Sequence, residues 1–253
     1  MPAFGCTSAA TRSSDALSLA RMNILAFDTC FVSCSAAVYL AAGEVARNAD
    51  QFELMEKGHS ERIVPMIAAV LSKARLAIED IDAFAVTVGP GSFTGARTGI
   101  AVARALALAT GKPVRGTSSL HVMAAGLRER RLVGAIAIAV STRDGLIYFQ
   151  TFDGPDTQPT SVPCVTSPRD AVDALRGMPH MVAGTGASLV AAAADATRDR
   201  FELIDEPVDA QARVLALMAL QLPILTPPRP LYLREPDAKP QSGVLIQRQE
   251  PSV

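Results

Sequence analysis

The chain has 253 residues and a net charge of −1, with 49% hydrophobic and 19% charged residues. It is long enough for one large domain or two small ones. It lacks the general positive field that gathers nucleic acid, so contact with RNA would be local or made by a partner. There is no Trp and aromatics are few, which excludes a stacking platform for single strands. The run LVGAIAIAV (132–140) falls far short of the ~18 apolar residues of a membrane span, and the cytoplasm is the default compartment.

Residues 1–21 are rich in Ser, Ala and Arg and carry one acid, Asp15. They resemble a transit peptide only loosely, and a disordered extension or an over-long start before Met22 is the plainer reading. From Asn23, ILAFDT reads as a buried strand ending in Asp28 and Thr29, VSCSAAVYL as a second, and VARNADQFEL as a third after an AAGE turn. In GHSERIVPMIAAVLSKARL, Ile63, Ile67, Val70, Leu71 and Ala74 recur at helical spacing. With Ser60 as cap and Glu61 on the dipole, Pro65 is tolerated if the helix starts near Glu61. IDAFAVTVG (81–89) is a strand. After the glycine-rich GPGSFTGAR (89–97), an Ala-rich helix runs from about Thr94 to Thr110 and stops at Gly111.

Beyond the link GLRERRLV (126–133) the order repeats more weakly. GAIAIAVST, DGLIYFQTF and SVPCV are strands, SPRDAVDALRG a helix, HMVAG a strand and GTGASLVAAAADA a helix. LPILTPPRP and the residues after it form an extended, proline-rich tail. Two β-β-β-α-β-α halves indicate an α/β chain of two ribonuclease H-like lobes, the actin-like (ASKHA) ATPase plan. The expected divisions are 22–127, 128–222 and a tail at 223–253. Ligands in that plan sit between the lobes.

The candidate chemistry is incomplete. Gly89, Gly91, Ser92 and Gly95, between a strand and a helix, offer either a phosphate cradle, with Arg97 as a cation, or a tight structural turn. The stretch is not a Walker loop. Asp28 and Thr29 at a strand end could hold magnesium through water or simply form a turn. The equivalent strand of the second half ends in Ser141-Thr142, without a carboxylate. His59, His121 and His180 are scattered and assemble no metal site, and His59-Ser60-Glu61 is helix entry rather than a triad. Cys6, Cys30, Cys34 and Cys164 lack C-x-x-C spacing and read as reduced thiols.

ILAFDT with CSAAVYL, then HSERIVPMI, GPGSFTGARTGIAVARALA, PVRGTSSL and finally PLYLREPDAKPQ resemble the TsaB (YeaZ) family closely over 22–127 and again at the tail. The resemblance implies a non-catalytic subunit that needs no cofactor of its own. Its implied partner is the catalytic subunit TsaD, which transfers threonylcarbamoyl to the adenosine beside the tRNA anticodon, with the ATPase TsaE joining and ATP or ADP at the complex junction. It further implies a partner surface on two helices, drawn from His59, Ser60, Arg62, Ile63, Met66, Ile67 and Val70 and from Ala96, Gly99, Ile100, Ala103 and Ala107. The same helices imply a homodimer when the chain is alone. Where the family has a D-A-R type sequence this chain reads Ser141-Thr142-Arg143-Asp144, so the family's Asp has no counterpart at Ser141, although Asp144 could shift in. The rival reading is a free-standing actin-like ATPase or sugar kinase. A protease reading finds no support in the residues.

Overall fold

The computed structural model describes residues 22–40, 48–130, 134–154, 157–176, 180–195 and 201–234. The expected 1–21 extension, the AAGE turn and the far tail lie outside them. The first sheet has the order β3-β2-β1-β4-β5, built from β1 (Asn23–Asp28), β2 (Ser33–Leu40), β3 (Ala49–Leu54), β4 (Ala83–Thr87) and β5 (Val114–Thr117). The first three strands are an antiparallel meander, while β4 and β5 add parallel to β1. The second sheet, β11-β10-β6-β7-β8, repeats the scheme with β6 (Ala135–Ser141), β7 (Ile147–Asp153), β8 (Gln158–Pro159), β10 (His180–Ala183) and β11 (Glu202–Ile204). The short β9 (Cys164–Thr166) also pairs with β7.

Helices α1 (His59–Ala74) and α2 (Phe93–Thr110) cover one face of the first sheet, and α4 (Pro168–Leu175) and α5 (Ala187–Asp195) cover one face of the second. Between the lobes lie α3 (Ser119–Glu129) and α6 (Ala212–Met218), in a core that both sheets share. Each central strand is divided between two cores by the two-residue period of its side chains. In β1, Leu25 and Phe27 face α1 and α2, while Ile24 and Ala26 face the shared core. In β6, Ala137 and Ala139 face α4 and α5, while Ile136 and Ile138 turn inward. Because both faces are covered, these strands read as unbroken apolar runs. Each fully buried Phe or Ile contributes about 1.5–3 kcal/mol.

The two-lobed ribonuclease H-like plan expected from the sequence is present, with corrections. The presumed link at 126–133 begins as the last turn of α3, so the expected boundary at 127 falls inside a helix. β5, α3, β11 and α6 are additional elements. In α3 the buried residues lie on nearly every side, and α6 is only seven residues long, so neither shows a clear single-faced stripe. Helix α1 starts at His59 with Gly58 as its N-cap at φ 87. Ser60 therefore lies inside the first turn and caps nothing, and Pro65 sits in the helix interior on its exposed side.

The glycine loop is pressed onto the end of β1. Ser92 caps α2 by accepting from the Gly95 amide at 2.9 Å, and its own amide donates to the Cys30 carbonyl. A Cβ at Gly91 would overlap the Cys30 carbonyl oxygen and one at Gly95 the Thr29 carbonyl oxygen, while at Gly99 it would stand 2.8 Å from Thr29 Oγ1. Thr29 Oγ1 in turn donates to the Gly95 carbonyl at 2.7 Å. The second lobe echoes this: Gly184 and Gly186 lie against the backbone of Ala139, near the end of β6.

Gly95→Ala is expected to cost roughly 3 kcal/mol or more, because the obstacle is backbone that cannot step aside. Gly111→Ala, at the α2 C-cap with φ 71 and nothing within 4 Å, should cost only about 1–2 kcal/mol of local strain. Urea denaturation of both variants checks the order; equal losses would mean that the loop is not held by close backbone approach.

Candidate functional site

At the carboxyl end of β1, Asp28 is fully buried. It accepts a short hydrogen bond from the Thr87 hydroxyl at the end of β4 and long ones, 3.4 Å, from the Cys30 amide. Cys30 Sγ lies 3.3 Å from Thr87 Oγ1. Burial raises the Asp28 carboxyl to about 7 against the lowering effect of these bonds, and the Asp209 charge adds to the rise. Burial also raises the Cys30 thiol well above its usual range, with the neighbouring Asp28 next in effect. The two sites that the sequence offered for phosphate and magnesium are thus turned onto each other. Ser92 and Gly95 spend their amides on Cys30 and on the α2 cap, while Gly91 packs on Cys30 and Gly89 accepts from the Ser119 amide at 2.9 Å. Of the residues grouped there, Arg97 remains outward, its guanidinium 4.7 Å from the centre of the Phe93 ring.

Between the lobes runs a cleft of ≈ 370 Å³ whose walls include the glycine loop, Ser141–Arg143 and residues 231–234. Phe31 meets Tyr148 across it, ring centres 6.2 Å apart, and Phe93 stacks with Tyr232 at 5.0 Å. Ser141 donates from its amide and its hydroxyl to Thr185 Oγ1, both at 3.1 Å. Asp144, which the sequence offered as a substitute carboxylate, is instead bound bidentately by Arg234 at 2.9 and 3.1 Å. Its carboxyl is held below the usual range, first by the Thr142 hydroxyl bond. The aromatic pairs and this ion pair escaped sequence reading because their members are 117 or more residues apart or, for Asp144 and Arg234, 90 apart. The PLYLREP run was the only signal. His121 sits apart, its Nδ1 2.8 Å from Thr117 Oγ1 and its ring stacked on Phe152. Burial lowers its pKa, so it rests neutral.

The expected partner surface needs correction. Ile63, Met66, Ile67, Val70, Ile100 and Ala103 belong to the chain's own core, with Ala103 0% exposed, and Ala96 and Gly99 are buried as well. His59 is buried; Arg62 is half-buried and paired with Glu53; Ala107 is half-buried and Ser60 exposed. The stripe read as outward is the inward one, because an amphipathic helix on a sheet spends its apolar face on that sheet. The exposed faces carry Val64, Pro65 and Ala68 on α1 and Ala101, Arg104, Ala105 and Leu108 on α2.

Comparison with known proteins places this architecture. The family model described as "TsaD: tRNA N6-adenosine threonylcarbamoyltransferase" matches residues 52–195. The tRNA threonylcarbamoyladenosine biosynthesis protein TsaB of Escherichia coli is 37% identical over 131 residues, 52% of this chain and 55% of that one. The match thus spans about half the length of this curated relative. An uncharacterized protein of Mycobacterium tuberculosis is 30% identical over 218 residues, 86% of this chain and 94% of its own. The solved structure of YeaZ from Pseudomonas aeruginosa superposes with a TM-score of 0.70 at 25% identity, covering 84% of this chain and all of that one. The chain belongs to the tRNA N6-adenosine threonylcarbamoyltransferase family, in its TsaB (YeaZ) group.

Proposed function

We propose that this chain is the non-catalytic, activating subunit of a bacterial assembly that makes threonylcarbamoyladenosine on tRNA. It pairs with the catalytic TsaD subunit, which performs the transfer, and TsaE joins the pair. The observation that carries this reading is the way the chain uses its own ATPase-like machinery. The Ser92 amide bonds to the Cys30 carbonyl and the Gly95 amide to the Ser92 hydroxyl, and Asp28 is buried under Thr87 and Cys30. Such a lobe is built for shape. ATP or ADP, where the assembly uses it, sits at the junction with the partner and requires nothing from this chain alone.

The docking face is the outward side of α1 and α2, which lie side by side. Leu108 is 89% exposed and Val64 56%. Around them Ala68, Ala101 and Ala105 leave the helix backbones close to the surface. Arg97 and Arg104 flank the patch on a helix that contains no acidic residue, so a partner helix with apolar and acidic positions fits it. Alone at high concentration, the same face pairs with a second copy.

Purified with TsaD, TsaE, the threonylcarbamoyl-adenylate donor and tRNA, the chain is expected to permit turnover that it cannot perform by itself. Full modification by the mixture lacking it would overturn the proposal. Leu108→Asp should weaken TsaD binding at least tenfold in calorimetry with the fold intact, since it replaces the most exposed apolar side chain of the contact by a charge. Ala103→Trp should instead destabilise the isolated chain by roughly 3 kcal/mol through overpacking.

The rival ATPase reading requires an ionised Asp28. A carboxyl raised to about 7 when folded and near 3.9 when unfolded keeps its proton in the folded state. Its favourable contribution is therefore complete below pH 4 and is lost as pH rises to about 7. Asp28→Asn should flatten the stability profile across that window and leave the variant more stable than the parent at pH 8. Denaturation at pH 5 and pH 8 measures this. Tight magnesium-ATP binding that Asp28→Asn abolishes would favour the ATPase instead.

A further inference from the structure

We propose that residues 231–234 are a strap that closes the cleft between the lobes, latched by Arg234 on Asp144. Among the described residues after Gln221 there is no helix or strand, yet the segment is tied down at successive points. Pro223 accepts from the Gly116 amide at 3.3 Å, the Leu225 amide donates to Val114 at 2.8 Å, and Ile224 bridges to Arg115 on the outer edge of β5. These bonds cover an edge strand of the first sheet. The segment then turns toward the cleft, where the Leu231 amide donates to the Val88 carbonyl at 2.7 Å. Beyond this point it changes lobes. Tyr232 lies on Phe93 of the glycine loop, and two residues later Arg234 reaches the β6–β7 turn of the other lobe and binds Asp144 through both carboxylate oxygens.

The four residues are a wall of the cleft, anchored to one lobe by a backbone hydrogen bond and an aromatic stack and bound to the other through the Arg234–Asp144 ion pair. The two sides differ in strength. The lobes share one apolar core through α3 and α6, which resists their parting, so the opening proposed is a movement of the strap. The Arg234 and Asp144 side chains are 27% and 44% exposed, and an ion pair at that exposure is weak and screened by salt. A tie of this kind releases and re-forms readily. When it does, the cleft between the Phe31–Tyr148 and Phe93 surfaces, already partly open, widens. This inference rests on contacts within the chain and is independent of the proposed partner.

Hydrogen exchange of the full chain, read by mass spectrometry, tests it. Arg234→Gln and Asp144→Asn should each speed exchange of the 231–234 amides about three- to fivefold while leaving α2 unchanged. The double variant should be no faster than either single one, because one interaction is lost only once. Raising salt should speed the parent and not the variants. The strap is overturned if its amides in the parent already exchange as freely as an unfolded peptide. It is equally overturned if the double variant shows the product of the single effects, or if α2 loses protection in step with the strap.

Discussion

The arrangement depends on how closely the backbone of 91–99 approaches the backbone of Thr29 and Cys30. Three glycines, each about one turn from the next, present no side chain toward the end of β1, so the carbonyls of residues 30 and 29 occupy the space where Cβ atoms of residues 91 and 95 would stand, and the Thr29 hydroxyl crowds that of residue 99. This contact fixes the start of α2, and α2 with α1 then covers the Leu25, Phe27 and Phe84 face of the sheet. The second lobe uses the same device at lower density, with Gly184 and Gly186 against Ala139. Two sheets with the same strand scheme are each locked by a glycine turn resting on the end of their central strand.

That close fit governs the electrostatics at the end of β1. Bringing the loop onto residues 29 and 30 removes water from Asp28 without supplying a cation. The carboxylate therefore shifts toward its protonated form, stabilised by Thr87. An acid at this place in an actin-like lobe would serve metal chemistry only if it stayed charged and reachable. Here the packing that stabilises the fold buries it and shifts it toward the neutral form.

Much of this was legible in the sequence where the signal is local. Strands β1, β2, β4 and β6 announced themselves as short apolar runs, and Gly111 marked the end of α2, whereas the Ser92 cap was not read. The resemblance carried by GPGSFTGAR with HSERIVP reached the family. Burial was not legible where two readings share one periodicity. Ile63, Met66, Ile67 and Val70 form a stripe whether the helix faces its own sheet or a partner, and only the sheet's position decides between them. Helix α6 was invisible because its seven residues carry one polar side chain, Arg213, beside an exposed Leu217, too little contrast to mark a face. The Asp144–Arg234 and Phe93–Tyr232 contacts join residues from distant parts of the chain, which periodicity cannot relate.

The distribution of apolar surface explains how a chain this rich in alanine supports a stable fold and an exposed contact at once. On α2 the small residues Ala96, Gly99 and Ala103 face inward, where they let the helix sit close to β1 and β4, and Ile100 fills the remaining volume. The opposite side repeats small residues at 101 and 105 and ends in Leu108, the most exposed large hydrophobic residue of the described chain. A helix with small residues on both sides can be approached closely from both, so the outer contact costs the inner one nothing. Bulk placed on the inward side would collide with the sheet, whereas the Leu108 side points to solvent and takes no part in the chain's own packing.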